Sequence, residues 1–492
     1  MQTSRRSFLK GMGIATAAAA GGVFAQDTRY PSVSSVAPHF ADKNEKLNIG
    51  VVGVCGKGWS DWTPMFNHGE NIVALCDCDR NHIKQGLEEI AKKRGRDYAA
   101  KVKTYTDYRK MLDACGKILH AVTVSTPDHM HAPAAITAMR MGISAYVQKP
   151  LVRTIWEANY FAKVAKTCGV VTQMGNQGSD GGGLRRNVEL LQMGLLGDVK
   201  EVHVWTNRPV WPQGLGAKKA AAGAADDIPD NLDWEAFVGP AKMRNFKNGV
   251  FHTFKWRGFY DFGAGAFGDM ACHTMNVPFR GLELGKVTHA VCTKIEGFND
   301  DAYPDKSIVE LTYAARESRV RPGVTLPAVK LYWYDGNLKP SPDLMPQVIA
   351  ELGGVPNTGC LIIGSKGIMC STNDYGQEAF VAMKGEAKVL NANAHPACAE
   401  SAIKTFIPRC RSNNYIEFVD AVKGQGNRYE ETHSLCYADR EHSVPMLEAM
   451  LVGCVAQRVP NTALKWDSAN QLFDNAAANR LVRPYIRKGY EF

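Results

Sequence analysis

Leu47-Asn48-Ile49-Gly50-Val51-Val52-Gly53-Val54-Cys55-Gly56-Lys57-Gly58 is the stretch that decides the fold. An apolar, β-branched run from Leu47 to Val52 stops at a glycine-rich turn, and a helix is expected after it. Strand, glycine turn and helix in that order bring backbone N–H groups and a helix N-terminus to one point, where they can meet a pyrophosphate. The spacing is Gly53-x-Cys55-x-x-Gly58, with Gly56 added. Cys55 stands where a glycine normally lets backbone approach phosphate. Asp77 closes the next apolar run, Asn71 to Cys76, 24 residues after Gly53. An acid at that distance is placed to bond an adenosine ribose, and it favours NAD over NADP because it repels a 2′-phosphate. On these features alone, a doubly wound sheet without a dinucleotide is the alternative.

Helical patterns over 81–94, 108–114, 132–141 and 156–167 alternate with strand patterns over 103–105, 118–124, 144–148 and 170–174. That alternation predicts an α/β Rossmann domain with a parallel, doubly wound sheet. After Gly175 the texture changes. A helix is expected over 184–193. Strands are expected over 199–207, 286–295, 307–313, 329–334, 359–363 and 367–371, making a second, α+β domain on a large, mostly antiparallel sheet. Pro/Gly-rich stretches over 209–223, 321–327 and 335–356 read as loops and lids. The organisation expected is a signal peptide (1–25), a linker (26–46), a nucleotide-binding domain (47–175) and a substrate and oligomerisation domain (176–492).

The chain opens on Ser4-Arg5-Arg6-Ser7-Phe8-Leu9-Lys10, followed by a small-residue stretch to Ala25. This reads as a twin-arginine leader, cleaved after Ala25. Its apolar part is shorter than the roughly 20 residues a spanning helix needs. No cysteine near the cleavage site suggests a lipid anchor. The twin-arginine export machinery carries folded proteins, so the expected location is the periplasm, with a cofactor loaded beforehand and no membrane anchor in the mature form. The formal charge of +9 lies partly in this leader and is otherwise scattered, which leaves no footprint for nucleic acid. The thirteen cysteines form no paired zinc pattern. Folding in a reducing compartment predicts mostly free, buried thiols, and no metal site is read.

Four further segments bear chemistry. Ser125-Thr126-Pro127-Asp128-His129-Met130-His131 follows a parallel strand and so lies at the carboxyl edge of the sheet, where ligands bind. Ser125, Thr126, Pro127, His129 and His131 are candidate cofactor contacts. The histidines are also possible metal ligands, although nothing nearby supplies a third. Lys149, in Gln148-Lys149-Pro150, can reach the cleft from a strand end and stabilise an alkoxide. A solvated surface lysine is the plainer reading. Asp269 and His273, at i and i+4 in Gly265-Ala266-Phe267-Gly268-Asp269-Met270-Ala271-Cys272-His273, share a helix face. An acid beside an imidazole could orient a general base for a sugar hydroxyl, and a helix-start Asp with a buried His is the alternative. Trp205, Trp211 and Trp256 with Arg208 are candidate sugar contacts, because aromatic faces pack on pyranose rings and Arg bonds hydroxyls; Asn176 and Arg257 are further candidate substrate contacts. Core packing explains any single Trp equally well.

Taken in this order, the segments resemble the Gfo/Idh/MocA oxidoreductases over nearly the whole mature chain. Trp205 to Gly214, Trp256-Arg257-Gly258 and Asn479-Arg480-Leu481 add to the likeness. The resemblance implies that Lys149 is the lysine of a Glu-Lys-Pro motif, here with Gln148 in place of the acid. It also implies that Asp269 and His273 form the family's Asp-x-x-x-His pair, that Lys149 contacts both cofactor and substrate, and that the chain is a homo-oligomer. The activity expected is oxidation of a carbohydrate or polyol hydroxyl by a tightly bound NAD or NADP that is recycled in place. A glycosidase or lyase working by oxidation, elimination and reduction is the first alternative, and a non-catalytic sugar-binding protein the second.

Overall fold

The structure is a computed structural model that describes residues 29–492. The leader expected over residues 1–25 lies outside the described residues. Among the described residues no helix is long and apolar enough to cross a membrane.

Six parallel strands make the first sheet: β1 (Asn48–Val52), β2 (Asn71–Cys76), β3 (Lys103–Tyr105), β4 (Ala121–Val124), β5 (Ser144–Val147) and β6 (Thr172–Met174). Their order is β3-β2-β1-β4-β5-β6, the doubly wound arrangement expected from the alternating pattern. β4 and β5 are buried along their whole length, as strands covered by helices on both faces must be. Local chemistry marks where the helices begin. Asp79 caps Arg80–Arg94 by accepting from the Asn81 N–H, and Asp107 does the same for Tyr108–Cys115. Thr154 and Glu157 form a capping box at the start of Ile155–Cys168.

The second sheet uses β7 (Val199–Trp205), β8 (Val287–Glu296), β9 (Lys306–Tyr313), β12 (Val329–Tyr334), β13 (Gly359–Gly364), β14 (Gly367–Ser371), β15 (Ala379–Met383), β16 (Leu390–Asn391), β17 (Leu464–Asp467) and β18 (Leu472–Phe473). A small ribbon, β10 (Arg316–Glu317) with β11 (Thr325–Leu326), stands apart from it. The ten strands run in the order β16-β15-β14-β13-β7-β12-β9-β8-β17-β18. Only β7 and β12 pair in parallel. β9 alternates strictly between buried and half-buried residues, so one face of the sheet packs on the core.

The helix Arg440–Arg458 joins the halves. It packs on Ile155–Cys168 from the first sheet's layer and on β8 and β9 of the second sheet. The helix Asn414–Val422 likewise returns to pack on Lys57–His68. Neither helix was expected from the sequence pattern. Both are buried around most of their circumference, and polar residues stand among the buried ones (Asn414 and Glu417 in one, His442, Ser443, Glu448 and Gln457 in the other), so the buried face does not coincide with an apolar stripe of the kind by which a surface helix is read.

Other expectations need correcting. The stretch 26–46 is not a free linker where it is described: Tyr30 stacks on Tyr160 and packs against Trp156, and Ala41 is buried. Gly214–Ala221 and Pro346–Leu352 are helices inside stretches read as loops. The cysteines, by contrast, are as expected: all thirteen are free thiols, most of them buried.

Candidate functional site

A cleft of about 490 Å³ opens at the carboxyl edge of the first sheet, walled on the far side by the second half of the chain. β1 runs into it at Gly53, β2 at Asp77, β4 at Ser125 and β5 at Gln148 and Lys149. These are the strand ends where an open α/β sheet binds ligands.

The glycine turn is shaped by close packing. A Cβ on Gly53 (φ +88°) would come within 2.4 Å of the Ser125 carbonyl oxygen, and one on Gly58 within 2.0 Å of the Gly53 carbonyl oxygen. A Cβ on Gly56 (φ +61°) would meet nothing within 4 Å. Gly53 and Gly58 therefore let the turn close, and Gly56 leaves open space directly before the helix Lys57–His68. Gly58 is corrected from a cleft residue to one that seats this helix against the turn. The Cys55 thiol lies against the His82 carbonyl and Gln85 at the cleft, and burial pushes it up to about 11. It is neutral and leaves the turn uncharged. Asp77 accepts from the Val54 and Asp79 N–H groups, which aims its carboxylate at the cleft edge. Open space above Gly56, a helix N-terminus and an acid on the second strand fit the pyrophosphate and ribose of a dinucleotide.

Beneath the turn lies a carboxylate that the sequence reading missed. Asp61 is fully buried. It accepts from Lys57 Nζ (2.7 Å), Ser125 Oγ (2.7 Å) and Gln148 Nε2 (3.0 Å). Burial raises its carboxyl above the ordinary range, against these donors. Gln148 thus takes the place of the motif's acid by donating to an acid on the neighbouring helix. That pairing joins the glycine turn to the Lys149 strand end.

The helix Gly265–Thr274 crosses the floor of the cleft with all ten residues buried. Lys149 Nζ donates to the Asp269 carboxylate (2.9 Å) and to the Asp269 carbonyl (3.0 Å). Arg257 Nε lies 3.4 Å from the same carboxylate. Burial works against both charges. Lys149 and then Arg257 still hold the Asp269 carboxyl below its usual value, and Asp269 raises Lys149 above its own. Asp269 therefore orients Lys149, which corrects the expectation that it holds His273. The partner of His273 is Asn176: Nδ1 lies 2.7 Å from Asn176 Oδ1, while Asn176 Nδ2 donates to the Cys272 carbonyl. Asn176 is buried beneath His273 and is not a substrate contact. With Nδ1 donating to this amide oxygen, Nε2 carries the lone pair. Burial, and then the charge of Lys149, push the imidazole well below its ordinary pKa. His273 is a neutral base at the cleft wall.

Asp128 is a second acid that the sequence reading passed over. Its carboxylate accepts from the Ala264 N–H and lines the same cleft. Burial pushes it up to about 8. Two carboxyls, one held ionised and one held protonated, thus share one wall, which is how a single site keeps both a fixed charge and an available acid.

Thr126 and Pro127 line the cleft with Ser125. The two histidines of that segment do not. His129 Nε2 bonds the Phe237 carbonyl and the ring packs on Phe262. His131 lies between the Pro150 and Thr126 carbonyls. Burial lowers them to about 3 and about 4. Both brace the loop from behind and are removed from the cofactor and metal candidates.

Trp205 is also removed: its indole donates to the Pro356 carbonyl within a separate core cluster. The remaining candidates are brought together. Trp211, Trp256, Arg208 and Arg257 all line the cleft near His273. Arg208 lies 3.5 Å from Asp374, and the Arg257 guanidinium lies over the Trp256 and Phe254 rings. Tyr375 meets His273 edge-on. Nothing in its local sequence marked Tyr375, because it arrives on a turn between β14 and β15.

Residues 47–176 match the family model described as an oxidoreductase family with an NAD-binding Rossmann fold. Residues 188–314 match the C-terminal alpha/beta domain of the same family. Among curated proteins, an alpha-N-acetylgalactosaminidase of Shewanella oneidensis is 33% identical over 165 residues, covering 31% of this chain and 35% of the relative. The chain thus spans about a third of the length of the curated relatives it matches. Two solved structures share the fold. One is the WlbA dehydrogenase from Bordetella pertussis in complex with NADH and UDP-GlcNAcA (TM-score 0.54, 14% identity, 86% of this chain, 99% of that one). The other is an inositol dehydrogenase homolog from Azotobacter vinelandii complexed with NADH and myo-inositol (TM-score 0.54, 15% identity, 87% and 99%).

Proposed function

The chain belongs to the Gfo/Idh/MocA oxidoreductase family, and from that premise we propose that it is an exported, NAD-dependent oxidoreductase acting on a hydroxyl of a carbohydrate or polyol. The observation that carries this reading is the convergence of the Lys149–Asp269 pair and the His273 Nε2 on the cleft into which the glycine turn opens.

Gly53, Gly56, the N-terminus at Lys57, Asp77 and Ser125 to Pro127 are the residues that would hold the dinucleotide. When bound, it accepts a hydride from a carbinol carbon and can return it. The protein's own groups manage the proton. His273 takes the hydroxyl proton on Nε2, while Asn176 fixes the ring so that this lone pair faces the cleft. Lys149 spends two N–H groups on Asp269 and offers the third to the substrate oxygen, where its charge stabilises an alkoxide. Arg208 and Arg257 supply donors for neighbouring hydroxyls, and Trp211 and Trp256 supply apolar faces for the ring.

Beyond the cytoplasm a freely exchanging cofactor would be lost, so the twin-arginine leader implies a dinucleotide that is held and restored in place. Mass spectrometry of the denatured pure protein tests this directly. A nicotinamide dinucleotide is expected to co-purify. Protein that is folded, empty and indifferent to added NAD in a binding titration overturns the proposal.

The alpha-N-acetylgalactosaminidase among the relatives favours a second reading, in which oxidation acidifies a neighbouring C–H, elimination breaks a glycosidic bond, water adds across the new double bond, and reduction closes the cycle. Asp128 supports it, as a protonated carboxyl on the same wall. Release of free aglycone with no net NADH selects this reading, and a stable keto-sugar selects simple oxidation.

A further inference from the structure

At the cleft, side chains from two distant parts of the chain converge. Asp79 caps the helix Arg80–Arg94, His82 sits in its first turn, and His252 arrives on a loop from the second half of the chain. One ligand atom from each lies within 4.8 Å of the other two. Asp79 Oδ2 is 3.9 Å from His82 Nε2 and 3.7 Å from His252 Nε2. The two imidazoles lie face to face with ring centres 5.7 Å apart.

We propose that Asp79, His82 and His252 form a binding site for a divalent transition metal, of which zinc is the best-suited common ion, and that the metal ties the His252 loop to the nucleotide-binding half. Two imidazoles and one carboxylate are a donor set suited to such ions. A tetrahedral ion with bonds of about 2.0–2.2 Å holds its ligand atoms about 3.4 Å apart, so each imidazole needs to approach the Asp79 carboxylate by only a few tenths of an ångström, and the two imidazoles, whose ligand atoms lie within 4.8 Å of each other, close around the ion by a side-chain adjustment. The outer contacts support the set. Asp79 Oδ1 is occupied by the Asn81 N–H (2.9 Å) and by Asn231 Nδ2 (2.7 Å), which turns Oδ2 toward the imidazoles. His82 Nδ1 lies 3.2 Å from Asp77 Oδ1. A carboxylate behind one ring nitrogen fixes the tautomer that leaves the other free for metal. The fourth tetrahedral position would be left to water, since His82 and His252 both line the cleft. Because Asp77 also faces the proposed ribose site, the metal would pin a loop across the end of the cleft where the dinucleotide enters; this consequence rests on the cofactor site proposed above, whereas the metal site itself does not.

The test uses the full mature protein, stripped with chelator and titrated with Co²⁺ and Zn²⁺, and compared with H82A/H252A and with D79N. The wild type is expected to bind one Co²⁺ with a ligand-field spectrum that Zn²⁺ displaces. D79N, which replaces a ligand carboxylate by an amide, is expected to weaken binding by more than the roughly 10- to 100-fold that loss of an outer-shell partner costs, and H82A/H252A to abolish it. Melting curves taken without metal confirm that the variants fold. Absence of binding by the wild type, or binding undiminished in H82A/H252A, overturns the site. Separately, the off-rate of bound NAD is expected to slow when metal is present. An unchanged off-rate with stoichiometric metal refutes the tie while leaving the metal site standing.

Discussion

Replacing Asn176 tests the assignment that departs furthest from the sequence reading. In Asn176→Ala, two buried groups lose their partner: the His273 Nδ1–H and the Cys272 carbonyl. Each orphaned polar group costs about 1–3 kcal/mol, so a loss of about 2–6 kcal/mol in unfolding free energy is expected in a urea titration. The kinetic effect follows from the hydrogen bond that holds the base. If about 1.4–2.7 kcal/mol of that restraint is missing in the transition state, the rate falls about 10- to 100-fold. The readout is the first-turnover absorbance change of bound nicotinamide in stopped flow, with KM little altered because Asn176 does not line the cleft. Asn176→Asp separates orientation from mere packing. A carboxylate facing Nδ1 favours the imidazolium and raises the His273 pKa from its depressed value. Since the neutral ring is the active form, activity is lost as pH falls through that pKa. The acid limb lies below the ordinary histidine range in the wild type and moves to higher pH in Asn176→Asp. A first-turnover rate in Asn176→Ala equal to that of the wild type, or an acid limb that stays put in Asn176→Asp, refutes the role given to Asn176 and with it the role of His273 as base.

Lys149→Met removes one partner of a buried pair, which ordinarily costs about 3–5 kcal/mol. Arg257, 3.4 Å from the same carboxylate, offsets part of this, so calorimetric unfolding is expected to show a smaller loss, alongside a rate reduction of at least about 100-fold. Gln148→Glu places a second carboxylate 3.0 Å from buried Asp61. It is expected to destabilise by about 1–3 kcal/mol in urea unfolding, and the double variant Asp61→Asn/Gln148→Glu is expected to recover most of it, because the carboxylate has only changed sides. Trp205→Phe loses one hydrogen bond, about 1 kcal/mol of stability, and leaves KM unchanged. Trp211→Ala instead raises KM by roughly tenfold as an aromatic face is removed from the cleft.

The first sheet was legible because its rules are local. β1 and the glycine turn are contiguous in sequence, and buried parallel strands read as short apolar runs whatever packs on them. The alternation of those runs with helices then leaves little freedom of topology. The second sheet was read as far as β14, then lost. β15 to β18 are short or isolated, and the two helices that lock the halves together bury polar as well as apolar residues, so no apolar stripe marks their packed faces. At the site, the same split appears. Lys149, Asp269 and His273 were found because each stands in a short motif, but their pairing was misread. Spacing at i and i+4 puts Asp269 and His273 on one helix face, and that proximity suggested a dyad. The structure gives each a partner from β5 or its neighbourhood, Lys149 for the acid and Asn176 for the imidazole, because the helix is held against the carboxyl edge of the first sheet. A pair drawn from one helix needs only the chain's own geometry. A pair drawn across two domains needs the docking of the domains, and no spacing within the sequence records that. The Asp61–Gln148 exchange has the same origin: an apparent loss of an acid at one position is made good by an acid 87 residues away, visible only once the first helix lies over β1 and β4. The roles proposed for this site therefore depend on the interface between the halves. Loosening that interface, as in a variant of the Arg440–Arg458 helix, is expected to disable His273 while the dinucleotide turn, built from local sequence, still forms.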